Sequence, residues 1–196
     1  MARAVPLVLL AAVLAGCGSS RATQTTTPKS AFAGAELVPP KAAPPIALHD
    51  ASGSPVTLAA QQGRYVLVTF IYTHCPDVCP LITKNLNAAL RAIGPARQHV
   101  RVLAVSVDPA GDTPKTVEAY AREKHLLPQF RYLIGTKPEL RRVWKAWRVL
   151  AVESKPDLVD HVAYTALIDT RGQERVLYDS SVHATQVVHD LRVLMG

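Results

Sequence analysis

Cysteine is scarce in this chain, three in 196 residues. That excludes a fold stapled by a disulfide framework. Long apolar runs are also lacking. The most prominent, "AVPLVLLAAVLA" at 4–15, is too short to span a bilayer. No motif interleaves aromatic side chains with base-reading groups, which argues against nucleic acid as a partner. No internal repeat is present. What remains is ordinary globular material, 48% hydrophobic and 19% charged, with a formal net charge of +7. One basic cluster stands out at Arg141, Arg142, Lys145 and Arg148. Helical charge spacing of this kind reads first as a solvated face, and second as a contact for a membrane or an acidic partner.

The first residues read as a leader rather than fold. Arg3 gives a short basic start, the apolar run follows, and "LAGC" at 14–17 closes it. The tetrad resembles the lipobox of bacterial lipoproteins. This predicts a signal peptide at 1–16, cleavage before Cys17 and lipid on Cys17. The lipid would anchor the chain to a bacterial membrane with its body on the extracytoplasmic, periplasmic side. Residues 17–44 are rich in Ser, Thr, Ala and Pro with few large apolar groups, which predicts a flexible tether. Residues 45–196 carry the globular pattern.

Within that body, "IALHDASGSPVTL" reads as two short strands around a turn. "RYVLVTFIY" and "VRVLAVSVD" read as buried strands. "PLITKNLNAALRAIG" has Ile82, Leu86, Ala89, Leu90 and Ile93 at helical spacing. "DTPKTVEAYAREKH" is a helix capped at Asp112 or Thr113, "QFRYLIG" a short strand and "KPELRRVWKAWRVL" a helix. "HVAYTALIDTRGQERVLYDS" is a hairpin turning at Arg171-Gly172, and "HATQVVHDLRVLM" a terminal helix. Strands alternating with helices predict an α/β, thioredoxin-like fold: a central mixed sheet flanked by helices on both faces, with an N-terminal hairpin addition.

Cys75 and Cys79 lie in "FIYTHCPDVCP", between a central strand and the next helix, where such sheets carry their sites. Pro80 directly after Cys79 predicts Cys79 at the helix cap, with Cys75 in the preceding loop. Both sulfurs would then sit near the positive end of the helix dipole, which favours thiolate. Thiolates are both nucleophiles and soft metal ligands, so this local argument supports redox and metal chemistry equally. Three intervening residues make a wider pair than a thioredoxin-type exchanger uses, wide enough to bite a metal yet still able to close to a disulfide if the loop relaxes. Two thiolates need a third donor, usually imidazole. His74 is adjacent to Cys75, but neighbours in an extended segment point to opposite sides, so it reads as a tuning or packing residue. His161 precedes a core strand at a turn. By spacing alone it is an ordinary loop histidine.

Three segments together bring a resemblance. "FIYTHCPDVCP", "VSVDPAGDTP" and "VDHVAYTALIDTRG" are similar, in order, to the signature segments of the Sco/SenC family of copper-binding proteins used in assembling cytochrome c oxidase. The resemblance implies Cys75, Cys79 and His161 as copper ligands, and Asp108 and Asp112 as acidic positions supporting the site or partner docking; Asp112 can equally be a helix cap. Ile71, Val162 and the pair Ala110-Gly111 depart from the family pattern, and none of them is a ligand position. Two thiolates and an imidazole suit both Cu(I) and Cu(II), whereas structural zinc would want a fourth protein ligand. The resemblance implies a monomeric metallochaperone, a carrier rather than an enzyme. It would serve the copper domain of cytochrome c oxidase subunit II, with a second copper chaperone as donor and a thioredoxin-like reductant keeping the pair reduced. The alternative is a thiol–disulfide oxidoreductase acting on the oxidase cysteines. A peroxidase is disfavoured, because Tyr72 stands where a peroxiredoxin carries threonine.

Overall fold

A computed structural model of the chain describes Met1 and residues 30–196 apart from 156, 157 and 162; for 151–155 and 158–161 it describes the backbone course alone. Among the described residues there are ten strands: β1 (Ala35–Ala42), β2 (Ala47–Asp50), β3 (Pro55–Thr57), β4 (Tyr65–Ile71), β5 (Val100–Ser106), β6 (Phe130–Ile134), β7 (Ala151–Lys155), β8 (Leu158–His161), β9 (Thr165–Ile168) and β10 (Gln173–Tyr178). The α-helices are α1 (Val78–Ala92), α2 (Pro114–Glu123), α3 (Lys137–Ala146) and α4 (Ala184–Met195). Eight strands form one mixed sheet in the order β1-β10-β9-β4-β5-β6-β2-β3, and β7 and β8 form a separate two-stranded sheet.

The near-continuous apolar runs of β4 and β5 become neighbouring parallel strands buried on both sides. Cross-strand partners Thr69, Ala104 and Tyr132 share one face of the sheet. That face meets α2 and α1: the Tyr120 ring packs edge-on against Tyr132, and its hydroxyl donates to Thr83 of α1. The next residue along β4, Phe70, points to the other face. There it packs against Trp147, just beyond α3, with ring centroids 5.7 Å apart. Helices therefore cover both faces, in a thioredoxin-like arrangement. On α1, Ile82, Leu86 and Leu90 are fully buried. Each such side chain contributes about 2 kcal/mol relative to exposure.

Two features differ from the sequence reading. Residues 35–42 lie in the predicted tether, yet they form the edge strand β1, antiparallel to β10. The chain just before it is also fixed: the amides of Ala33 and Gly34 donate to the Asp190 carboxylate of α4 at 2.6 and 3.0 Å. This edge strand is mostly exposed and contains Pro39 and Pro40, so it carries no apolar alternation. The early strand pair β2–β3 is present as predicted, added to the opposite edge through β6. Finally, "WRVL" does not continue α3. Trp147 is the C-cap and Arg148 turns left-handed at φ 56°, and the chain then enters the β7–β8 hairpin.

Candidate metal centre

β4 delivers the chain to the carboxyl edge of the sheet, where Tyr72 and Thr73 lead to Cys75. α1 starts at Val78 with Asp77 as N-cap, so Cys79 is the second helical residue rather than the cap. Pro80 still falls in the first turn, where its missing amide costs no helical bond. Both cysteines are free thiols and both are buried, Cys75 at 8% exposure and Cys79 at 0%.

The two sulfurs are within hydrogen-bonding reach and divide one proton unequally. Cys75 is lowered to about 5, chiefly because the Cys79 thiol donates to it. Burial works against this shift, while the amides of Asp77 and Cys79 and the Tyr72 hydroxyl reinforce it. Cys79 is pushed well up, because its proton is held by Cys75 and its sulfur is buried. The pair is thus a thiolate beside a thiol at neutral pH, a soft donor set at a helix N-terminus. Tyr72, 2% exposed, belongs to this centre. The sequence reading noticed it only as a departure from the peroxidase pattern. The signal that could have found it is its position three residues before Cys75, at the end of a buried strand.

Asp112 has a different role from the cap envisaged for it. Thr113 caps α2, accepting from the Thr116 amide. The Asp112 carboxylate turns inward, 4% exposed. It accepts from the Thr73 amide at 2.9 Å, the Thr73 hydroxyl at 2.8 Å, Ser106 Oγ at 2.6 Å and the Tyr132 hydroxyl at 2.9 Å. Burial raises its pKa against these donors. Asp112 therefore ties the end of β5 to the residue two positions before Cys75. Asp108 accepts from the amides of Ala110 and Gly111 and so shapes that turn. A side chain at Gly111 would collide with the Asp108 carboxylate, which explains glycine in this departure from the family pattern. His74 is exposed and its Nδ1 meets the Thr73 hydroxyl at 3.1 Å. Ligand-type atoms of His74, Asp108 and Asp112 all lie within 4.8 Å of one another. Four donors already surround the Asp112 oxygens, so this carboxylate is committed to Thr73, Ser106 and Tyr132.

His161 is the last residue of β8, opposite Ala151 of β7. Its side chain lies outside what the structure describes, and Cys17 lies outside the described residues altogether. The base of its hairpin is described. The Tyr164 hydroxyl donates to the Trp147 carbonyl at 2.7 Å, closing the loop that contains β7 and β8. Both Trp147 and Tyr164 pack on Phe70, with ring centroids 5.7 and 5.6 Å away. Phe70 is five positions before Cys75 on the strand that carries the pair. Trp144 Nε1 donates to the Ser106 carbonyl at 2.9 Å, fixing α3 to the same edge.

Residues 35–196 match the SCO1/SenC family. The fold is similar to that of copper-bound ScoI from Bradyrhizobium japonicum, with 32% identity, a TM-score of 0.69, and coverage of 78% of this chain and 99% of that one. It is likewise similar to apo Sco1 from Thermus thermophilus, with 34% identity, a TM-score of 0.71, and coverage of 83% and 96%. The mitochondrial SCO2 of Saccharomyces cerevisiae is 32% identical over 137 residues; the match takes in 66% of this chain but 44% of the yeast protein. With the family match running through the cysteine pair, the β8 histidine and all four helices, the chain belongs to the SCO1/SenC family.

Proposed function

We propose that this protein is a copper metallochaperone that holds one copper ion through Cys75, Cys79 and His161. It passes the ion to the dinuclear copper centre of cytochrome c oxidase, from a body anchored to a bacterial membrane through lipidated Cys17. The observation that carries the reading is the reduced, buried pair: a Cys75 thiolate poised near neutral pH beside a Cys79 thiol, at a helix N-terminus. Such a donor set fits copper, and the Bradyrhizobium relative is a copper-bound protein. Support for His161 comes from the hairpin base, held against the strand that leads to the cysteines. Copper is cargo here. Cys75 is already charged and ready to take it, while Cys79 must give up its proton to complete the bite.

A second reading rests on the same thiolate. A thiol of low pKa paired with a resolving thiol is also the equipment of a thiol–disulfide oxidoreductase. Copper titration of the reduced protein, wild type beside His161→Ala, separates the two. The first reading expects about one copper per chain, a sulfur-to-copper charge-transfer band, and both weakened in the variant. Unchanged affinity and spectrum in His161→Ala would remove His161 as a ligand. Full rescue of oxidase activity by that variant would favour thiol exchange.

A further inference from the structure

An open groove of about 570 Å³ runs away from the cysteine pair along the exposed side of α1. It begins at Asp77 and Pro80, flanking Cys79, and ends at Arg91. At 1.5 Å per helical residue, the stretch from 80 to 91 covers about 16 Å. Leu81 is an apolar point within it. It is 47% exposed on a helix whose Leu86 and Leu90 are fully buried. Around it stand three cations, Lys84, Arg91 and Lys124; Asp77 lies at the groove's mouth and Glu123 pairs with Lys124 at 2.7 Å, so Lys84 and Arg91 carry its net positive charge.

The wall opposite α1 is the turn that ends α2. His125 has φ 49°, a left-handed conformation unusual for a residue bearing a Cβ. Buried Asn87 of α1 braces this turn. Its Nδ2 donates to the carbonyls of Lys124 and His125 at 3.4 and 3.0 Å, and its Oδ1 accepts from the Leu127 amide at 3.0 Å. Arg91 adds a donor to the His125 carbonyl at 2.7 Å. The turn is the helix stop of α2: the His125 amide donates to the Arg122 carbonyl at 3.1 Å and the Leu126 amide to the Ala121 carbonyl at 3.0 Å, and Asn87 braces it from α1. Here it sets the groove's shape before anything binds.

We propose that this groove docks an extended acidic segment, with one apolar side chain over Leu81, belonging to the protein with which Cys75 and Cys79 exchange copper. The partner's role rests on the copper reading above. An extended segment of about five residues matches the groove's length. Charge complementarity selects an acidic occupant. It disfavours a second copy of this chain, whose own net charge is +7. Docking here would bring the partner's donor atoms to the first turn of α1, beside Cys79.

The test titrates the peptide acetyl-Glu-Leu-Asp-Glu-Leu-Glu-amide, and a Lys-for-acid counterpart, into the ¹⁵N-labelled, reduced, copper-free full chain. The expected result is amide shifts gathered on residues 80–91 and 124–127, for the acidic peptide only. Affinity should fall by about tenfold or more from roughly 20 to 500 mM salt. The double variant Leu81→Ser with Lys84→Glu should lose the shifts yet bind copper like wild type. Shifts on the basic face of α3, equal binding of the two peptides, or no shifts at millimolar peptide would each overturn the docking site. Because the readout needs no copper, a wild-type chain that docks the acidic peptide but takes no copper would support the groove and sink the copper reading alone.

Discussion

At neutral pH one proton serves two sulfurs, and this shapes what each cysteine does. Cys75 has a folded pKa of about 5, below its unfolded value. Between those two values the native state holds fewer protons than the unfolded state, so stability climbs with pH across that window and fades as pH falls through about 5. Alkylation of the reduced protein by iodoacetamide should label Cys75 first, with a rate midpoint near pH 5; a midpoint at the ordinary thiol value would contradict the shared-proton geometry. Copper loading at pH 7 should release about one proton from the pair, that of Cys79, as read by calorimetry across buffers of different ionisation enthalpy. Asp112 works one layer out. Asp112→Ala leaves donors from Thr73, Ser106 and Tyr132 without their acceptor, and should cost about 3 kcal/mol in urea unfolding. A loss below about 1 kcal/mol would mean that water replaces the carboxylate.

Between residue and whole molecule, the element that matters is the β7–β8 hairpin. Its sequence carries little signal: the strands are short, form a sheet of their own, and follow a helix whose spacing runs on to Leu150. Left-handed Arg148 ends that helix instead, a tertiary outcome which the helical spacing of the preceding residues does not reveal. Tyr164→Phe removes the bond that closes the hairpin's base and should cost about 1 kcal/mol. It should also weaken copper binding while leaving the Cys75 alkylation profile unchanged. Equal copper affinity in Tyr164→Phe and wild type would show that the hairpin holds its place without this tie. α1, by contrast, was legible from periodicity, because its buried stripe is continuous. Only its start shifted, moving Cys79 inside the first turn.

For the molecule as a whole, the folded body begins earlier than composition suggests. Asp190 is fully buried and accepts from the amides of Ala33 and Gly34 as well as the Tyr178 hydroxyl. Deleting residues 30–42 strips two donors from a buried carboxylate and exposes the β10 edge. The melting temperature should fall by about 10 °C or more, with aggregation on heating; a melting curve matching the full chain would restore the tether reading for these residues. The sequence by itself determined the layered α/β plan, since apolar runs and helical stripes are local patterns that bury the same way in any context. It also determined that two cysteines end up between a central strand and its helix. Only the tertiary structure decided how those cysteines share a proton, that Tyr72 joins them, and that Asp112 faces inward. The hairpin's seat against Phe70 belongs with these. Each depends on groups distant along the chain meeting at one sheet edge, and spacing in the sequence carries no record of such meetings.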